Sequence, residues 1–318
     1  MLSELTWWRL ARIHGWTNGL STELLNRVLV MDRRAKNTAT ATSETFHCEM
    51  SPEQIARYGD EVRRNSHSLL PIRLDPSVCD DVVAYCLSLK CQPFPRPTSG
   101  PEEIALDLNR PVAPVNFFWP AQGVHRHPVV AALMNDPVLV AIARDYLRCD
   151  PILETCQIWA SPVFGDGPSS EITQLFHYDA GHPGFIKFFV YLTDVDSENG
   201  PHCVVPTSHR PDIVGWKLRF GPRRISDEQI ERAYPGMTRE LVGPKGIVIA
   251  EDTRAFHKGK QPRRGCRFVL ELYFVNVVVG KEIPEPERLR REFMLVNPSS
   301  QSSVLLWHKP SSQRHEFP

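Results

Sequence analysis

Residues 174–210 read QLFHYDAGHPGFIKFFVYLTDVDSENGPHCVVPTSHR. Near the start of this run, His177-Tyr178-Asp179 sets an imidazole and a carboxylate two residues apart. In an extended strand, side chains at i and i+2 share a face, so His177 and Asp179 converge on one point. That pair supplies two of the three ligands of a facial 2-His-1-carboxylate site, which leaves open positions on iron(II). The third ligand must come from elsewhere. The segment 243–279 offers His257, followed ten residues later by Arg267.

The surroundings of the motif are those of an antiparallel barrel. Residues 185–193 are aromatic and β-branched, as a buried strand requires. Ser197-Glu198-Asn199-Gly200 follows as a hairpin signal, because Asn-Gly tolerates positive φ at both central turn positions. Cys203-Val204-Val205-Pro206 can then pair back as a strand that ends in Thr207-Ser208-His209.

Taken in order, His177-Tyr178-Asp179, the run 191–202 (YLTDVDSENGPH), Val205-Pro206-Thr207-Ser208-His209, His257 and Arg267 resemble the phytanoyl-CoA dioxygenase family. The resemblance spans residues 144–279 at motif level. It implies an α+β chain with a mainly β core, a double-stranded β-helix (jelly roll, cupin-like) with flanking helices. It also implies Fe(II) on His177, Asp179 and His257, with 2-oxoglutarate and O2 as co-substrates. The expected reaction is hydroxylation of an aliphatic C–H in a small metabolite, lipid or glycan, with release of succinate and CO2. The same cofactors also serve desaturation, epimerisation and cyclisation. A jelly-roll binding protein without catalysis is the reading from a different class.

Strand alternation extends the site. In 266–279 it sets Arg267, Val269, Glu271 and Tyr273 against Phe268, Leu270, Leu272 and Phe274, which puts Arg267 on the inward, polar side. A planar guanidinium there matches the distal carboxylate of 2-oxoglutarate bidentately. In 185–193 the same alternation places Lys187, Phe189 and Tyr191 on one face. If that face is inward, Lys187 contacts co-substrate or substrate; the alternative is a buried pair with Glu271. Two departures from the family pattern stand out: Gly259 where members carry Ser or Thr, and Thr207 where glycine is usual. Lys258, Lys260 and Gln261 are the neighbours able to compensate for Gly259. Asp179 is present, whereas halogenating members lack that carboxylate.

The 318 residues suffice for one large domain or two modest ones. We expect an N-terminal helical region over 1–110 packing on the core, and the oxygenase core over 111–280 with an inserted segment at 211–242. A tail over 281–318 then packs on the barrel, stays mobile or helps form an oligomer. Basic residues in the insert, Arg219, Arg223 and Arg224, either meet an anionic substrate group or form a solvated surface. Helices are expected from Ser51-Pro52-Glu53, over 76–90 with Ser77 as an alternative cap, and over 127–148 with a break at Asn135-Asp136-Pro137.

Lys+Arg and Asp+Glu are both 37, a balance that argues against nucleic acid as a partner. The eight cysteines form no C-x-x-C pair, which suits thiols in a reducing, cytoplasmic compartment. No signal peptide and no membrane-spanning run is visible. Trp7, Trp8 and Trp16, interleaved with Arg9 and Arg12, fit an N-terminal helix packed on the barrel or resting peripherally on a membrane.

Overall fold

The structure is a computed structural model that describes residues 13–14, 16–17, 19–30, 37, 39–95, 102–108, 116–164, 173–219, 224–279 and 284–296. In chain order the helices are α1 (Leu20–Leu29), α2 (Pro52–Asn65), α3 (Pro76–Ser88), α4 (Ala121–Val124), α5 (Pro128–Met134), α6 (Pro137–Leu147), α7 (Ile213–Arg219), α8 (Asp227–Ala233) and α9 (Glu285–Val296). The strands are β1 (Ala41–Ser43), β2 (Cys48–Met50), β3 (His67–Arg73), β4 (Lys90–Phe94), β5 (Ile104–Ala105), β6 (Asn116–Pro120) and β7 (Ile152–Pro162). They continue with β8 (Phe185–Tyr191), β9 (His202–Val204), β10 (Arg239–Leu241), β11 (Ile247–Glu251), β12 (His257–Gly259) and β13 (Cys266–Val275).

Local chemistry accounts for the helix starts. Ser51 and Gln54 form a reciprocal capping box, with Pro52 at the first helical position of α2. α3 is capped by Asp75, whose carboxylate accepts the Ser77 N–H, so Ser77 is the cap's donor and not the cap. The break between α5 and α6 falls at Asn135-Asp136, where Asp136 accepts the N–H groups of Val138 and Leu139. Proline at 137 cannot continue the preceding helix but suits the start of the next.

An eight-stranded antiparallel sheet, ordered β3-β11-β8-β13-β7-β6-β4-β5, faces a three-stranded sheet ordered β10-β9-β12. This is the α+β double-stranded β-helix. The alternation in β8 serves two compartments. Phe188 and Val190 join the principal core with Leu270, Leu272, Ile142 and Leu139, under the helices. Phe189 and Tyr191 point the other way, with Val204, Ile249 and Val269 between the sheets.

The N-terminal region is more than the helical cover expected for 1–110. β3, β4 and β5 extend the large sheet at both ends. β3 is a period-2 strand, burying Ser68, Leu70 and Ile72 while Leu69, Pro71 and Arg73 face out. Its Pro71 is tolerated because β3 is an edge strand, where a missing ladder N–H costs little. The insert at 211–242 likewise returns to the barrel early, since Arg239–Leu241 pairs with β9. No disulfide joins any of the eight cysteines, six of which are buried. Among the described residues, no helix is long and apolar enough to cross a membrane. Tail residues 281–283 and 297–318 lie outside the described residues, as do Trp7, Trp8, Arg9 and Arg12.

The corner after β9 carries a cost. Thr207 has φ 67°, a left-handed conformation that a β-branched residue rarely adopts. Relief of about 1–2 kcal/mol of strain exceeds the ~0.5–1 kcal/mol entropic cost of glycine. Thr207→Gly is therefore expected to stabilise the fold by about 0.5–1 kcal/mol, read as a higher midpoint in urea unfolding at unchanged slope. A lower midpoint would show that the threonine side chain contributes more than its backbone costs.

Candidate active site

β12 begins at His257, and His177 lies directly across from it on an isolated antiparallel bridge. The His177 N–H donates to the His257 carbonyl at 3.0 Å, and the His257 N–H returns the bond at 2.9 Å. Two residues on, the Asp179 N–H donates to the Thr253 carbonyl at 2.9 Å. This backbone clamp brings the ligand atoms of His177, Asp179 and His257 within 4.8 Å of one another.

The side chains are prepared as a donor set. Nδ1 of His177 donates to the Leu175 carbonyl at 3.1 Å, and Nδ1 of His257 donates to the Ala255 carbonyl at 3.0 Å. Each bond leaves Nε2 as the unprotonated nitrogen, the form that binds a metal. Burial and the neighbouring His257 hold the His177 ring down at about 3, and burial lowers His257 as well. Burial pushes the Asp179 carboxyl up, but Lys187 and the two histidines outweigh it and hold it well below the usual carboxylate range. Neutral imidazoles and an ionised carboxylate are the states a divalent cation requires.

Asp179 is held from behind. Lys187 Nζ and Thr253 Oγ1 both donate to its Oδ2, at 3.0 and 2.7 Å. Lys187 also lies 3.5 Å from Glu271 and 4.9 Å from the centre of the Tyr273 ring. Burial opposes its charge, but Asp179 and Glu271 outweigh that and raise its pKa. Lys187 is thus paired with both Asp179 and Glu271, and it lines the cavity.

The cluster opens into a cavity of about 530 Å³ between the two sheets. Lys187, Phe189, His202, Gly259, Arg267 and Glu271 line it together with the triad. Its outer wall is aromatic. Phe94 meets Phe118 edge-on at 5.9 Å, Phe118 stacks with Trp159 at 6.1 Å, and Trp159 meets Phe189 edge-on at 6.0 Å. Asn116 sits on the same wall, and among the described residues its buried Oδ1 has no partner.

Arg267 is buried in the cavity wall, where Nη1 donates to the Gly200 carbonyl and, among the described residues, Nε has no partner. Gly259 is its neighbour. A Cβ at 259 would lie 3.0 Å from Arg267 Nη2, so the glycine leaves the guanidinium its room.

A profile of the family Phytanoyl-CoA dioxygenase (PhyH) matches residues 113–265, which contain all three clustered residues. Over that stretch the chain is similar to the phytanoyl-CoA dioxygenase family. The match ends two residues before Arg267. Similar solved structures include EctD from S. alaskensis with bound Fe, at 18% identity over 74% of this chain and 83% of that one, TM-score 0.49. HygX from Streptomyces hygroscopicus with nickel and 2-oxoglutarate bound is similar at 16% identity over 69% and 86%, TM-score 0.48. The non-heme alpha ketoglutarate dependent carbocyclase SnoK from nogalamycin biosynthesis is similar at 14% over 69% and 83%, TM-score 0.45. A comparison with curated protein sequences returned no match.

Against the pattern of this dioxygenase family, several expected site residues lie elsewhere. Tyr191 shares the face of Lys187 and Phe189 but does not border the cavity. Its hydroxyl donates to the Leu241 carbonyl at 2.7 Å and accepts the His202 N–H at 3.0 Å, joining β8 to the small sheet. Arg219 does not line the cavity either. It is buried between the rings of Tyr178 and Phe256, 4.7 Å from each centre, and donates to the carbonyls of Ser208 and Arg254. An arginine in an insert reads as surface charge, but here its stem and fork brace the corner beside the site. Arg223 lies outside the described residues. Lys258 and Lys260 pair with Asp227 and Glu240, and Gln261 donates to the Phe164 carbonyl. None of these three lines the cavity. Thr253, Trp159, Phe118 and Asn116 carried no local sequence signal, because only packing of distant strands brings them to the site.

Proposed function

We propose that the chain is an iron(II)- and 2-oxoglutarate-dependent oxygenase that hydroxylates an aliphatic C–H of a small molecule. The observation that carries this reading is the His177–Asp179–His257 cluster, with both Nδ1 atoms already engaged, opening on the cavity that Arg267 borders. The three clustered side chains would hold iron(II), and Arg267 would hold the distal carboxylate of 2-oxoglutarate. Iron(II) with 2-oxoglutarate supplies the oxidising chemistry, consuming O2 and releasing succinate and CO2 as one oxygen atom passes to the substrate.

The chain's own residues bind, orient and exclude water. Lys187 and Thr253 keep Asp179 ionised and fix its rotamer. The wall of Phe94, Phe118, Trp159 and Phe189 presents an apolar face to the substrate. An intact ligand set favours a catalyst over a binding protein. The presence of Asp179 favours transfer of hydroxyl over halogen.

The test is anaerobic titration of purified protein with iron(II) and 2-oxoglutarate, reading the visible charge-transfer band. A band is expected; a folded protein that gives none overturns the reading. Arg267→Ala is expected to raise the apparent Kd for 2-oxoglutarate about 100-fold through loss of a buried bidentate charge pair. Arg267→Lys is expected to recover only part of this, because an ammonium lacks the planar fork. Product analysis by mass spectrometry then separates hydroxylation (a gain of one oxygen) from desaturation or cyclisation (a loss of two hydrogens) and from epimerisation (no change).

A further inference from the structure

α1 is built inside out. Leu20, Leu24 and Val28 recur along it at four-residue spacing, which stacks them on one helix face. That face points to solvent, with the three residues 51%, 55% and 65% exposed. Trp16, four residues before Leu20, is 64% exposed. The polar residues of the same segment turn inward. His14 is buried, with Nδ1 2.8 Å from the Thr22 hydroxyl, and its ring stacks on Tyr178 at 6.0 Å. Asn26 donates to the Pro183 carbonyl and accepts from Asn276 Nδ2 at 2.9 Å. A surface helix normally packs by its apolar stripe and shows its amides to water. Here hydrogen bonds fasten the helix to the protein, and the aliphatic stripe is left outside.

α7 widens the face. Trp216 Nε1 donates to the Trp16 carbonyl at 3.1 Å, which sets these two residues side by side, and Trp216 is itself 44% exposed. Single exposed apolar residues are ordinary, but a row of them joined to two tryptophans marks a contact surface.

Charge selects the occupant. Arg27 and Lys217, both exposed, lie on the same two helices, against Glu23, which pairs with Arg27 at 3.0 Å. In the sequence, residues 1–36 hold six Lys and Arg and three Asp and Glu, within a chain balanced overall. Aliphatic residues on an exposed helix, tryptophans beside them and a basic excess suit the boundary between anionic lipid headgroups and acyl chains. A second copy of the chain, docked through the same patch, would set that basic excess against itself.

We propose that α1 and α7 form a face by which the protein lies on an anionic lipid surface. Leu20, Leu24, Val28 and the two tryptophans enter the headgroup layer, and Arg27 and Lys217 meet the lipid charge. The same helix covers the segment that carries His177 and Asp179, through the stack of His14 on Tyr178.

The experiment co-sediments the full chain with vesicles of phosphatidylcholine alone and with vesicles of equimolar phosphatidylcholine and phosphatidylglycerol. Binding to the mixed vesicles is expected, with tryptophan emission moving to shorter wavelength and about a tenfold loss of affinity between ~0.1 and ~0.5 M salt. Leu24→Ser combined with Val28→Ser is expected to weaken partitioning by more than about tenfold, because two aliphatic side chains no longer enter the bilayer. Trp16→Ser, outside α1, is expected to act in the same direction. Lys217→Gln is expected to cost about fivefold, the share of one basic residue near an anionic surface. All four positions face solvent, so urea unfolding midpoints are expected to stay at the wild-type value.

Wild type that sediments with neither kind of vesicle overturns the proposal, and so does undiminished binding in the Leu24→Ser, Val28→Ser variant. Equal binding to both kinds of vesicle overturns the choice of an anionic surface. Self-association in ultracentrifugation without vesicle binding, lost in the same variant, assigns the stripe to a second copy instead. None of these readouts needs iron(II) or 2-oxoglutarate, so the oxygenase reading stands or falls separately.

Discussion

Asp179→Ala is expected to abolish the charge-transfer band and to weaken iron(II) binding by more than ~100-fold, since loss of a hydrogen-bonded neighbour of a ligand alone costs ~10–100-fold. The substitution removes the only carboxylate of the cluster. It also leaves Lys187 with Glu271 as its remaining anionic partner, at 3.5 Å. A cation is thereby left beside the position where a divalent metal would sit, so electrostatics and coordination fail together. Thr253→Ala provides the graded comparison. It removes the 2.7 Å bond to Asp179 Oδ2 but leaves the carboxylate and its ion pair in place. About a tenfold loss is expected there. Isothermal titration with iron(II) under argon measures both. Undiminished binding in Asp179→Ala, or equal losses in the two variants, would remove Asp179 from the ligand set.

Arg254→Ala is expected to destabilise the fold by about 3–5 kcal/mol, the cost of breaking a buried ion pair from one side. Asp252 is fully buried, and Arg254 Nε donates to its two oxygens at 2.9 and 3.0 Å. The Tyr146 hydroxyl completes the cluster by donating to Asp252 and accepting from Arg254 Nη2. Burial raises the Asp252 carboxyl, but Arg254 outweighs it and brings the group down to about 2. A folded pKa below the unfolded value near 3.8 means the pair stabilises fully above about pH 4. That stabilisation drains away as pH falls through about 2. In the variant the sign reverses, because a buried Asp252 without its arginine titrates above the unfolded value. Its deficit against wild type is therefore expected to be largest at neutral pH and to shrink as the solution is acidified. Urea unfolding at pH 7 and pH 4 measures this. An equal deficit at both values would show that Arg254 acts through packing and not through charge. The pair matters to the site because Thr253 lies between its two members and His257 follows three residues after Arg254.

The parts of this design that could be read without coordinates share one property: they are local in sequence or periodic along a strand. The i, i+2 spacing of His177 and Asp179 needs only an extended backbone. The alternation through 266–275 puts Arg267 and Glu271 on one side whatever the strand pairs with. The helix starts at Ser51 and Pro137 declare themselves through capping groups and proline. Lys187 and Phe189 also came to the cavity by alternation, yet Tyr191, on the same face, did not. One strand passes from the cavity to the seam between sheets within two residues, and a period-2 pattern cannot say where the cavity ends.

Long-range partnership was out of reach. β3, β4 and β5 look like interruptions in a helical region, because strands of two to seven residues, two of them carrying proline, declare little until a sheet receives them. Arg219 read as either a substrate contact or a solvated charge until Tyr178 and Phe256 closed on it. Gly259 looked like a missing contact, and the structure gives it a positive reason in the space it leaves for the Arg267 guanidinium. Thr253 behind Asp179 was equally silent. The His177–Asp179 spacing, the antiparallel strands and the alternation within β8 and β13 are legible in residues 174–279 because they depend on neighbours one to four residues apart. Which groups brace the ligands, and which reach the cavity, depends on strands brought together from across the chain. Only the closed barrel sets those distances.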